Sequence, residues 1–118
     1  PQLENAEKKG IEVVSFSFTK MDTKLENSIS YNLDEEKLRN IWHRQLLVIV
    51  DKQTVLLGGA DQSPNNKSIF TDNPAILNIA LNYLILDLTL ISDRKKLKLE
   101  DLISNIMIEN SGKLEDLL

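Results

Sequence analysis

The sequence predicts an α/β domain: a mixed sheet of about four strands with a central hairpin and helices on both faces. Three observations predict it. Within residues 44–61, two apolar runs, Leu46-Leu47-Val48-Ile49-Val50 and Thr54-Val55-Leu56-Leu57, flank the polar Asp51-Lys52-Gln53. Unbroken β-branched runs of this length read as strands covered on both faces, and the short polar step between them as a turn. Residues 74–91 are apolar on nearly every side and begin at Asn73-Pro74, a strong helix start. Residues 98–110 place Leu99, Leu102, Ile103, Ile106 and Met107 at i, i+3, i+4, i+7 and i+8, the stripe of an amphipathic helix.

The remaining elements follow in chain order. Residues 3–9 read as the end of a helix, with Lys8 and Lys9 at its negative pole and Gly10 as the residue just past its end. Residues 11–18 carry Ile11, Val13, Phe16 and Phe18 against Glu12, Ser15 and Ser17, which favours a strand. Residues 19–32 are polar and weakly patterned; they read as a long excursion with a short helix near 23–27. Asn32 or Asp34 caps a short helix over 35–42, whose Leu38, Ile41 and Trp42 share a face. Gly58-Gly59 ends the second hairpin strand, residues 61–67 are a loop, and 68–71 form one more brief strand. Asp72 or Asn73 then caps the long helix.

Composition narrows the function classes. One domain over residues 1–118 fits the length, and 42% apolar with 27% charged residues is ordinary for a globular chain. There is no cysteine, so disulfides, thiol catalysis and thiolate metal sites are excluded, in keeping with a cytoplasmic setting. Pro1 stands first and no charged-then-apolar leader follows it, so the chain reads as a piece of a longer protein. With 14 basic and 18 acidic residues the net charge is -4, which is poor for gripping a phosphate backbone. The one basic run, Asp93-Arg94-Lys95-Lys96-Leu97-Lys98, adjoins Glu100 and Asp101 and reads as a solvated connection. DNA contact therefore belongs to a domain outside this chain.

The long helix carries the clearest physical message. Only Asn78, Asn82, Asp87 and Thr89 interrupt its apolar residues. It is too short and too punctuated to read as a membrane span. It must be covered by the sheet on one side and by another helix or a second subunit on the other. Each large aliphatic side chain left bare forgoes roughly 1.5–3 kcal/mol. The reading is a homodimer, with Leu77, Leu81, Leu84 and Leu88 as candidate interface residues.

One order of motifs is specific enough to compare with a family. A helix-Gly-strand start leads to a strand ending Val50-Asp51, then to Val55-Leu56-Leu57-Gly58-Gly59-Ala60-Asp61. A polar loop follows, and Ile69-Phe70-Thr71-Asp72-Asn73-Pro74-Ala75 opens the long helix. This resembles the effector domain of the TrmB family of archaeal and bacterial transcriptional regulators, whose fold is similar to one half of a phospholipase D-like domain. The resemblance spans residues 3–91. It implies a domain that dimerises and answers a small molecule, often a sugar or sugar phosphate, while an N-terminal winged helix holds DNA. No cofactor is expected. The further C-terminal sugar-binding region of longer members has no counterpart here.

The catalytic motif of the phospholipase D-like enzymes is degraded. His43-Arg44-Gln45 places Gln45 where a lysine is required, and Asp51 falls one residue beyond the required spacing. On a strand a one-residue slip turns a side chain to the opposite face. Gly58-Gly59-Ala60-Asp61 departs from the family's downstream Gly-Ser-x-Asn string in the same way. No catalysis is expected, and a phosphodiesterase is the weakest of three readings, behind a dimerisation module that binds nothing. His43 is the only histidine, so a histidine-based metal site is not expected either. Asp51 reads as a turn residue, and Trp42, Tyr31 and Tyr83 read as packing residues before sugar-stacking ones. Loops after sheet ends are the favoured place for a small ligand. That selects Asp61, Gln62, Ser63, Asn65 and Asn66, with His43 and Arg44 nearby.

Overall fold

The computed structural model describes residues 1–59 and 67–107. It is mixed α/β, with four helices and two sheets where the sequence reading expects one. The chain divides into two compact units, residues 1–42 and 43–118.

The first unit opens with helix α1 (Gln2–Lys8), which stops where its sequence says it should. Gly10 has φ +90°, the left-handed region open to glycine. Its N–H donates to the Glu7 carbonyl at 3.0 Å, and the Ile11 N–H donates to the Ala6 carbonyl at 3.1 Å. These bonds satisfy carbonyls that the helix end would otherwise leave bare.

The polar segment after β1 (Val14–Thr19) is tied to α1 by carboxylates. The Lys24 N–H donates to Glu4 Oε1 at 3.0 Å, and the Glu26 N–H donates to both Glu7 carboxylate oxygens at 3.3 Å. The Lys24 N–H holds the Glu4 carboxyl below the usual glutamate range. A carboxylate with a lowered folded pKa contributes stability that is complete above its unfolded value, about 4.3. That contribution is lost as pH falls through the lower folded value. Protection of the Lys24 amide from hydrogen exchange is therefore expected to fall on acidification below about pH 4. In Glu4→Gln it should be reduced already at pH 7.

The excursion expected over residues 19–32 is corrected. It holds a strand, β2 (Asn27–Leu33), and no helix near 23–27. β2 runs parallel to β1, with Phe16 opposite Ile29. Ser28 and Ser30 alternate with Ile29 and Tyr31, so half of each strand repeat is hydroxyl and the apolar pattern is thin. Ser30 finds a partner across the pair: its Oγ donates to the Thr19 carbonyl at 2.7 Å. Phe16, Phe18 and Tyr31 form one aromatic cluster, with Phe18 and Tyr31 stacked at 5.9 Å and 7°. Helix α2 (Glu35–Arg39) is shorter than expected and is capped by Asp34, whose carboxylate accepts from the Lys37 N–H at 3.1 Å.

The second unit holds the hairpin as expected. β3 (Gln45–Val50) and β4 (Thr54–Gly59) pair antiparallel, and β5 (Ser68–Thr71) adds to the far side of β4. Asp51 and Lys52 make the turn at φ +53° and +54°. The register puts Leu47, Ile49, Val55 and Leu57 on one face and Leu46, Val48, Val50, Leu56 and Phe70 on the other. Gly58 lies between Leu46 and Ser68 in that register, and a Cβ on it would stand 3.0 Å from Ser68 Cβ.

Helix α3 (Pro74–Lys95) covers the first face. Asn73 caps it by accepting from the Ala75 N–H at 2.9 Å. It ends at Lys96, left-handed at φ +54°, with the Leu97 N–H donating to the Ser92 carbonyl at 3.0 Å. Leu77, Ala80 and Leu81 form a buried cluster with Val55, and Leu47, Ile49, Leu57, Ile76 and Ile106 pack around it. Ile106 belongs to α4 (Glu100–Ile106), whose end is held where Lys52 Nζ donates to the Met107 carbonyl at 2.9 Å.

The expectation of helices on both faces is corrected. Leu46, Val48, Val50 and Phe70 are exposed, so among the described residues of the second unit the hairpin is covered by helix on one side only. The β-branched run of β3 signals a strand correctly, but composition does not say how many of its faces are filled.

Candidate functional site

Two features of the second unit bear on function. The first is the sheet end where β3 begins and β4 finishes. Gln45 pairs with Gly59 and Gly58 with Ser68. The exposed His43 and Arg44, which lead into β3, therefore share this end with Gly59 and Lys67. The sequence-predicted ligand residues Asp61, Gln62, Ser63, Asn65 and Asn66 lie outside the described residues. Gly59 and Lys67, the described residues on either side of that segment, lie at the same sheet end as His43 and Arg44. Asp51 lies at the other end of β3, one strand length away or roughly 20 Å. His43 and Asp51 thus cannot converge on one phosphate from within a chain. Among the described residues no group of three His, Cys, Asp or Glu side chains is placed to hold a metal ion.

The second feature is the outer side of α3. The interface residues chosen from sequence are corrected here. Leu81 is 1% exposed and Leu88 0%, Leu77 is also buried, and Leu84 is half-buried. Leu77 and Leu81 are spent in the chain's own core. The face left open belongs to Ile79, Tyr83, Leu86 and Leu90, which are 70%, 44%, 58% and 49% exposed. Both stripes have the same 4-3-4 spacing and differ by two residues, or roughly 200° around a helix of 3.6 residues per turn. Sequence spacing finds both and cannot say which one meets the sheet. Burial in the folded chain decides. Tyr83 and Trp42, expected to pack inside, are about half exposed, although Trp42 keeps a ring contact with Phe18 at 5.9 Å.

Asp87 lies one turn beyond Tyr83 on α3. Partial burial pushes its carboxyl above the usual aspartate range, and burial together with Asp87 pushes the Tyr83 hydroxyl up. An acid whose folded pKa is raised disfavours the folded state once ionised. Its cost is absent below the unfolded value, about 3.9, and complete above the folded one. Asp87→Asn is therefore expected to be more stable than the parent chain at pH 7 and to lose that advantage near pH 3.5. Urea unfolding at the two pH values checks this.

By length and composition α3 could also cross a membrane. The packing of Leu77, Ala80 and Leu81 on Val55 is that of a core helix. No protein-family model, curated protein or solved structure matches this chain.

Proposed function

We propose that this chain is the pairing and effector-sensing domain of a TrmB-like transcriptional regulator, with a phospholipase D-like half-fold and no catalysis of its own. The observation that carries the reading is the open apolar stripe of α3. An exposed row of four large apolar side chains on a 22-residue helix is a surface made to be covered. A second copy of the chain is the cover proposed. DNA is held by a domain outside the chain, in the cytoplasm.

The sensing part rests on the resemblance and on the sheet end that carries His43 and Arg44. Its effector class is a sugar or sugar phosphate, bound by that pair together with Asp61, Gln62, Ser63, Asn65 and Asn66. Such a ligand acts on regulation only by binding two arrangements of the pair unequally.

Sedimentation equilibrium from about 1 μM to 1 mM tests the pairing, a range chosen from the affinities of small interfaces. A concentration-dependent shift toward twice the 13.4 kDa chain mass is expected, and a monomer at every concentration contradicts the reading. Amide shifts during titration with sugars and sugar phosphates test the sensing. Changes near His43 and Arg44 are expected. Pairing without any ligand response would leave a dimerisation module that binds nothing.

A further inference from the structure

Resting on the pairing just proposed, we infer that α3 packs antiparallel on α3 of a second copy, about a two-fold axis between Leu84 and Ile85. This sets Ile79 against the partner's Leu90 and Tyr83 against the partner's Leu86.

The geometry comes from the stripe itself. Its four members are exposed and separated by four, three and four residues. That is the spacing of a knobs-into-holes seam between two helices. The order reads the same in both directions, so reversal about the midpoint of the helix superposes Ile79 on Leu90 and Tyr83 on Leu86. A two-fold contact requires such a self-complementary patch.

Charge selects the antiparallel sense. The C-terminal end of α3 carries Asp93, Arg94 and Lys95, all exposed, and the equally exposed Lys96 follows. In a parallel pair these clusters from the two copies lie side by side, with the two Asp93 carboxylates in one layer of the seam. Like charges at that separation repel. In the antiparallel pair each cluster instead lies by the helix start of its mate. Asp93 then meets the partially positive first turn after Pro74, and the cations Arg94, Lys95 and Lys96 come near the exposed Asp72 that precedes that turn.

The seam is short. Four side chains per copy over about three turns cover less than the roughly 800 Å² per partner of a standard interface. The pair is therefore weak by itself, with Kd in the micromolar range or above, and suited to rearrangement.

The chain has no cysteine, so introduced cysteines report without background. Ile79→Cys, Leu86→Cys and Leu90→Cys all change exposed positions. Thermal midpoints close to that of the parent chain confirm their folding. On mild oxidation a mixture of Ile79→Cys and Leu90→Cys is expected to form the mixed disulfide at least tenfold faster than Ile79→Cys couples to itself. The two Ile79 positions are offset by eleven residues in the antiparallel pair, roughly 16 Å along the axis. Leu86→Cys is expected to couple to itself, since its offset is only about one turn. Fast self-coupling of Ile79→Cys would overturn the antiparallel sense and leave the pairing intact. A sample that sediments as a dimer yet cross-links at none of these positions would remove the seam from the interface. A monomer in sedimentation would remove both proposals.

Discussion

Leu81→Ala is expected to destabilise the chain by about 2–5 kcal/mol, read as a drop in the urea midpoint with little change in slope. Leu81 is 1% exposed and sits in the cluster with Val55, Leu77 and Ala80. Removing its three outer carbons forfeits their transfer free energy. It also leaves a cavity between helix and sheet that the neighbouring strands close only in part. Small domains are stable by about 5–15 kcal/mol in all, so the loss is a large share of the total. A change under about 1 kcal/mol would mean that α3 does not seat on the sheet through this face.

Leu86→Lys is expected to do the reverse. Leu86 lies on the opposite side of the same helix and is 58% exposed. Lysine has nearly the helix propensity of leucine, so the stability of the separate chain should stay within about 0.5 kcal/mol. In the pair, however, the substitution sets an ammonium from each copy into the seam close to the two-fold. Pairing should weaken by about ten- to a hundredfold, which is about 1.4–2.8 kcal/mol. Sedimentation at matched concentrations reads the shift, and an unchanged dimer would show that Leu86 lies outside the interface. Together the two variants separate what α3 does for the fold from what it does for assembly.

Much of the architecture is legible in the residues because single positions carry the signals. Gly10 marks the end of α1, Asn73-Pro74 the start of α3, and Asp51-Lys52-Gln53 the turn of the hairpin. Each is a local device whose energetics do not depend on distant partners. β2 escapes notice for the opposite reason. Its serines thin the apolar pattern, and Ser30 satisfies its hydroxyl at the Thr19 carbonyl, eleven residues away, a compensation no sequence window displays. The covering of β3 escapes notice too, because Leu46, Val48 and Val50 read the same whether their face is filled or open.

The candidate site divides along the same line. That α3 has more apolar surface than a sheet can cover follows from its residues alone. Which surface remains does not. The helix carries two equivalent stripes, and a rotation of about half a turn exchanges them. Burial of Leu77, Leu81 and Leu88 fixes that rotation and hands the outer side to Ile79, Tyr83, Leu86 and Leu90. Around His43 and Arg44 the register does the corresponding work, bringing both flanks of the 60–66 segment to one sheet end.

An isotope-filtered NOE experiment on an equal mixture of 13C-labelled and unlabelled chains, at millimolar concentration, addresses the outer stripe most directly. Intermolecular cross-peaks are predicted between Ile79 and Leu90 methyls and between the Tyr83 ring and Leu86, with none from Leu77 or Leu81. Cross-peaks confined to Leu46, Val48 and Phe70, on the open side of the sheet, would contradict the account.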